Sequence, residues 1–172
     1  MIKQGNIKED FNGFYDLLYK SFPTIERRTY EGQKKLLNND LYNVLYFKAN
    51  EKVAAFLAYW EFEDFIFIEH FAVDENLRGR GTGTKILDDF LINSTKEVIL
   101  EVELPLEDIA IRRIEFYKRI GFNFNDYEYM QPPLQKDNEY FELKIMSYPK
   151  KISREKFLKV RDEIYKVVYS II

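Results

Sequence analysis

Apolar residues in the first part of the chain return every three or four positions. Phe11, Phe14, Leu17, Leu18 and Phe22 share one helical face, so the spacing predicts a helix that Pro23 closes. Thr24 is placed to cap a second helix with Glu26 in its first turn, running to Leu36 and Leu37 before the turn-like "NND" at 38–40. The pattern then changes. "YNVLYFKA" (42–49) and "KVAAFLAYWEF" (52–62) are rich in aromatic and β-branched residues and flank "ANE", which predicts a hairpin. "FIFIEHFAV" (65–73) is almost continuously apolar, as strands covered on both faces are. Helical periodicity resumes from Thr82 to Asn93, followed by a strand at 97–104 that Pro105 ends. A helix over 107–120 stops at Gly121. "FNFNDYEYM" and "YFELKIMSY" read as two strands around "QPPLQKDN". The last 22 residues read as a helix with Phe157, Val160, Ile164, Val167 and Ile171 on one stripe. This order predicts an α/β protein with one mixed sheet and helices on both faces, and a parallel crossover over 65–104.

Composition narrows the partners. The 172 residues carry 26 basic and 29 acidic side chains, a net of −3, which argues against nucleic acid as the main partner. Cysteine is absent, so thiolate nucleophiles, disulfides and Cys-ligated zinc are excluded, and one histidine, His70, leaves no His-rich metal site. No apolar run of about 18 residues occurs and the start lacks a signal-peptide pattern, so a soluble cytoplasmic protein with no metal is expected.

The chemistry gathers at "LRGRGTGTKILDDF" (77–90). Only 7 glycines occur in the chain, and Gly79, Gly81 and Gly83 fall here between a buried strand and a helix. The first N–H groups of a helix lack intrahelical partners and, with the helix dipole, form an anion site. Arg78 and Arg80 add charge, and the Thr82 and Thr84 hydroxyls add donors, so a phosphate or pyrophosphate fits. The Walker loop does not match, because Lys85 precedes Ile86, and G-x-G-x-G is not the dinucleotide fingerprint.

Arg78, two residues, Gly81, one residue, Gly83 resembles the Arg/Gln-x-x-Gly-x-Gly/Ala motif of the GNAT N-acetyltransferases. "FAV" before "DENLRGRGTG" is similar to that family's fourth strand and its exit. "IEFYKRIGF" (114–122), about 35 residues on, is similar to its tyrosine-bearing helix. The resemblance covers residues 1–148 as a GNAT domain with a sheet of about six to seven strands. Residues 149–172 are then a C-terminal helical extension, packed on the domain or on a partner subunit in a homodimer. It implies acetyl-CoA as co-substrate, held by Arg78, Gly79, Arg80, Gly81, Thr82, Gly83 and Thr84, with the backbone of Phe71, Ala72 and Val73 pairing with the pantetheine arm. It implies Tyr117 as the acid that protonates the departing sulfur. An asparagine common seven residues before that tyrosine is Ala110 here, and a small residue four before it is Arg113.

Direct transfer to an amine needs a neutral nucleophile, and hence a base. Glu69, Glu101 and Glu103 are the candidates, being carboxylates in apolar strands, where charge is costly unless paired. Ion pairs with Arg112 or Arg113 are the alternative for each. Alternation puts His70 on the face opposite Glu69. "EFED" (61–64) and the strand glutamates suggest a cationic acceptor, while Arg27, Arg28, Arg112 and Arg113 suggest an acidic group on it. A primary amine of a small molecule or peptide, amino-acid-like in carrying both charges, satisfies both. The 131–138 loop is expected to wall the acceptor site. Lys150–Lys166 holds seven basic and three acidic residues, yet its narrow stripe predicts packing on protein, not membrane. An acyl-CoA-binding sensor without turnover is the alternative reading of the whole chain.

Overall fold

The computed structural model describes residues 2–3 and 7–171, the first pair as backbone only. Helix α1 (Phe11–Ser21) buries Phe11, Phe14, Leu17 and Leu18, the stripe its periodicity predicts. The next segment departs from expectation. Thr24–Glu26 is a single 3₁₀ turn, and α2 (Tyr30–Lys35) begins after Thr29, whose hydroxyl accepts from the Gly32 N–H at 3.1 Å. Thr24 therefore caps no α-helix. The backbone carbonyls of 24–28 bond elsewhere: Asn138 Nδ2 donates to Thr24, Gln131 to Ile25, Gln135 to Arg27 and the Tyr15 hydroxyl to Arg28, while His70 Nε2 bonds to Glu26. A helical ladder needs those acceptors, and distant side chains have taken them.

Among the described residues seven strands form one sheet: β1 (Ile2–Lys3), β2 (Tyr42–Ala49), β3 (Lys52–Glu61), β4 (Phe65–Val73), β5 (Glu97–Glu103), β6 (Asn123–Gln131) and β7 (Phe141–Tyr148). Their order is β1-β2-β3-β4-β5-β7-β6. Among the described residues only β4 and β5 pair in parallel, joined through α3 (Thr82–Ile92), as the crossover predicts. On one face, Phe14 of α1 packs edge-on to Phe56 at 4.7 Å, beside Phe67, Ile99 and Ile145. On the other, Leu87 and Leu91 of α3 and Ile114 of α4 (Asp108–Ile120) cover Leu57, Leu100 and Met146. Each fully buried large apolar side chain contributes about 1.5–3 kcal/mol.

The last helix, α5 (Arg154–Val167), is capped by Ser153, which accepts from the Lys156 N–H at 3.2 Å. Phe157, Val160 and Ile164 are buried in the same core as α1. The helix ends at Val167 and does not run to the chain end. Its last turn widens, with the Tyr169 N–H on the Ile164 carbonyl and the Ile171 N–H on the Tyr165 carbonyl, and Ser170 is left-handed at φ 57°. This brings consecutive residues, Val168 and Tyr169, against the core. Among the described residues, no helix is long and apolar enough to cross a membrane.

Two irregularities in β4 position the site. Ala58 pairs with His70 but Tyr59 pairs with Ile68, so Glu69 is one residue too many for its neighbour, a β-bulge. Pairing with β5 stops at Ile68 and Leu100, although β4 runs to Val73 and β5 to Glu103. The two strands part, and the sheet opens.

Candidate active site

A cleft of about 750 Å³ fills that opening. Ile68–Val73 and Leu100–Glu103 form its two walls. It passes through the sheet, because Tyr117 lies in the core layer under α3 and α4 while Glu101 meets Tyr129 and Tyr169 of the opposite layer.

At the α3 end, Gly79 and Gly81 take left-handed φ values of 73° and 77°, which only glycine adopts without strain. Nothing lies within 4 Å of where a Cβ would sit on either, so the turn leaves open space. The first helical bond of α3 runs from the Lys85 N–H to the Gly81 carbonyl at 3.0 Å, leaving the Thr82, Gly83 and Thr84 N–H groups for a ligand. Arg78 folds back, with Nε donating to the Val73 carbonyl at 2.9 Å, and lines the cleft. Arg80 is exposed and is not among the lining residues, because the Gly79 and Gly81 turns carry it outward. Phe71, Ala72 and Val73 lie along the unpaired edge of β4. The donor set therefore suits a pyrophosphate followed by an extended, amide-bearing arm, the shape of coenzyme A.

Tyr117 projects from α4 into the cleft, 8% exposed, with Phe116 and Phe122 rings at 5.3 and 5.6 Å. Among the described residues its hydroxyl has no hydrogen-bond partner, and burial pushes the phenol up to about 12. It remains protonated and is free to donate. Ala110 is buried on the inner face of α4, and Arg113 of the same helix reaches the neighbouring strand, pairing with Glu103 at 2.9 Å.

The three strand glutamates have different surroundings. Glu69 is locked: Arg28 Nη1 lies 2.5 Å from Oε1, and Trp60 Nε1 donates to Oε2 at 2.9 Å. Burial pushes its carboxyl up, but the Arg28 guanidinium and the Trp60 bond outweigh this and hold it below the usual range. Glu103 is partly exposed and paired with Arg113. Among the described residues Glu101 has no cationic partner. The Tyr129 and Tyr169 hydroxyls donate to it instead, the latter 2.9 and 3.0 Å from its two oxygens. Burial lifts it to about 8, the two phenols pull it back, and the charges of Glu69 and Glu26 add to the rise.

His70 lies on the same side as Glu69, not the opposite one, because the bulge cancels one alternation. Its Nδ1 is 4.0 Å from Glu69 Oε2. Its Nε2 is 2.6 Å from the Glu26 carbonyl, which requires the proton on Nε2. Burial holds it below the ordinary histidine range, so it is neutral. The 61–64 carboxylates are at the far end of β4. Glu61 pairs with Lys96 there, and none of the four residues lines the cleft. Arg27 also stays outside, stacked over the Tyr19 ring at 3.9 Å. Gln131 and Leu134 of the 131–138 segment line the cleft.

Sequence reasoning missed Glu26, Tyr129 and Tyr169 as site residues. Glu26 lines the cleft and has no ion pair among the described residues. Burial, with the charge of Glu103 nearby, raises it to about 7. No local spacing marks any of the three, since each arrives from a segment remote from the glycine turn.

The model of the acetyltransferase (GNAT) family matches residues 9–122. A Bacillus subtilis (strain 168) protein named "Putative acetyltransferase YjbC" is 28% identical over 163 residues, covering 91% of this chain and 81% of that one. A solved structure described as a "putative acetyltransferase from GNAT family" of Bacteroides thetaiotaomicron superposes with a TM-score of 0.90 at 26% identity, covering 100% of this chain and 98% of the other. An aminoglycoside 6′-N-acetyltransferase complexed with coenzyme A has the same fold, with a TM-score of 0.64 at 12% identity over 86% of this chain and 95% of that one. The parted strands, the glycine turn and the tyrosine helix thus fall inside a matched region that spans well over half of the sequence, and the chain belongs to the acetyltransferase (GNAT) family.

Proposed function

We propose that this protein transfers an acetyl group from acetyl-CoA directly to a primary amine, with no covalent enzyme intermediate. One observation carries the reading. The cleft between β4 and β5 joins an anion cradle and a protonated phenol on one face of the sheet to a carboxyl group held by two phenols on the other. The Thr82–Thr84 N–H groups and Arg78 would hold the pyrophosphate, and the β4 edge the pantetheine arm. Bound there, the thioester supplies the acyl carbon and the thiol leaving group.

Glu101 is the base. It takes one proton from the ammonium ion, which frees the nitrogen lone pair for the acyl carbon. Tyr117 gives its proton to the departing sulfur as the carbon–sulfur bond breaks, and regains one from the nitrogen as the amide forms. Glu101 releases its proton to solvent, so the balance is one amide, one thiol and one proton. The bonds of Glu69 to Arg28 and of Glu103 to Arg113 favour Glu101 over them in this role. The acceptor is a cationic amine of a small molecule or peptide. Glu26 and Glu101 favour its ammonium group, and Arg112, which lines the cleft without an ion pair among the described residues, favours an acidic group beyond it.

The test has two stages. Acetyl-CoA should raise the melting temperature and ATP should not. Thiol release should then be measured across monoamines, diamines, amino acids and short peptides. Turnover is expected with amines that carry a carboxylate. Stabilisation by acetyl-CoA with no thiol release toward any amine would instead make the protein an acyl-CoA-binding sensor.

A further inference from the structure

The matched family region ends at residue 122, yet Tyr169 reaches back into the cleft. Its hydroxyl touches both oxygens of Glu101, at 2.9 and 3.0 Å, and the Tyr129 hydroxyl donates to Oε1. Tyr169 is 8% exposed. Its own segment is anchored twice. The Val168 carbonyl accepts from Arg28 Nη2 at 2.9 Å, tying the tail to the buried Arg28–Glu69 pair. Phe157, Val160 and Ile164 pin α5 against the sheet. A phenol used only as filler has no reason to straddle a carboxylate.

We propose that Tyr169 is a positioning residue for Glu101: the C-terminal segment completes the acceptor site by fixing this carboxylate at the cleft and favouring its charged form. The proposal rests on the acetyl-transfer reading for its kinetic consequence, not for its structural one. A hydrogen bond from a phenol stabilises the ionised carboxylate more than the neutral acid, so losing it should raise the pH at which Glu101 gives up its proton. The groups that face Glu101 bound the effect. Glu69 on β4 is neutralised by Arg28, and His70 is neutral. Tyr129 on β6 and Tyr165 on α5 carry no charge near neutrality, since burial raises both phenols. Glu26 alone changes charge in the same range, so the comparison belongs in a Glu26→Gln background as well.

The experiment measures kcat/KM against pH, with an amine that turns over, for wild type, Tyr169→Phe, Tyr129→Phe, Glu101→Gln and the Tyr169→Phe/Glu101→Gln pair. Tyr169→Phe should move the acidic limb up by about one pH unit, a roughly tenfold loss at pH 7 that recovers at high pH, with the KM for acetyl-CoA unchanged. Tyr129→Phe should shift it in the same direction. Glu101→Gln should remove activity at every pH, and adding Tyr169→Phe should then change nothing further. An unshifted limb, or a loss equal at all pH values, would overturn the proposal. A carboxyl ¹³C titration of Glu101 reads the same contact without turnover. If its midpoint rises in Tyr169→Phe while no amine is acetylated, the contact stands and the acetyl-transfer reading fails. If the midpoint does not move, the positioning role is wrong whatever the activity.

Discussion

Replacing Glu101 with glutamine should stabilise the fold at alkaline pH while it abolishes turnover. Burial lifts this carboxyl from 4.5 to about 8, even with two phenols donating to it. At about 1.36 kcal/mol per pH unit, the ionised form costs the folded state on the order of 5 kcal/mol once the pH exceeds 8. That is an upper bound, because the residue is partly open to the cleft and water there screens the charge. The folded state holds this proton more tightly than the unfolded chain does. The contribution of Glu101 to stability is therefore complete below pH 4.5 and is lost as pH rises through about 8. Glutamine has the same shape, stays neutral, and keeps an oxygen for the phenols. The melting temperatures of the two proteins should be close near pH 5 and diverge by up to roughly 10–20 °C at pH 9, taking about 2–4 °C per kcal/mol at this chain length. Scanning fluorimetry from pH 5 to 9.5 measures the gap, and Glu26, common to both proteins, largely cancels from it. A gap independent of pH, or a less stable variant at pH 9, would refute the reasoning. A gap that opens with pH, together with lost thiol release, would mark a carboxylate kept against stability for chemistry.

Three other substitutions separate the remaining parts of the site. Arg28→Met strands the buried Glu69 carboxylate and should destabilise by about 3–5 kcal/mol in urea unfolding, most of it recovered in the Arg28→Met/Glu69→Gln pair. Tyr117→Phe should lower kcat by about 10²–10⁴-fold in steady-state kinetics with little change in the KM for acetyl-CoA, because only the proton donor is lost. Gly81→Ala meets no atom but puts a Cβ on a left-handed residue, so it should cost about 1 kcal/mol in thermal stability and raise the KM for acetyl-CoA several-fold.

The glycine-turn end of the cleft was legible because its signals are local. Strand, glycine turn and helix start follow one another within 65–92, and each residue's role depends on its neighbours in sequence. The same locality explains most element boundaries, which fall within a few residues of the periodicity. The failures share a cause. Thr24 looked like a helix cap, but side chains from as far as residue 138 took the carbonyls that a helix needs. Alternation placed His70 away from Glu69, but a bulge depends on how two strands pair, which neither strand states alone. The 61–64 carboxylates were assigned to the acceptor site by composition, and the direction of β4 puts them at its other end.

The Glu101 end of the cleft is assembled in the opposite way. Glu101 comes from β5, Glu26 from a turn near the start of the chain, Tyr129 from β6 and Tyr169 from beyond the last helix. None of these is fixed by the glycine turn or by the tyrosine helix, and two of the four lie past the matched region. A family assignment made on residues 9–122 therefore speaks to how an acyl donor would be held, and much less to which acceptor would receive the group. Two relatives can share the cradle and part company where α5 ends. If the tail sets the state of Glu101, moving the segment after residue 148 between such relatives should change the pH limb and the acceptor range together, and leave the binding of acetyl-CoA as it was.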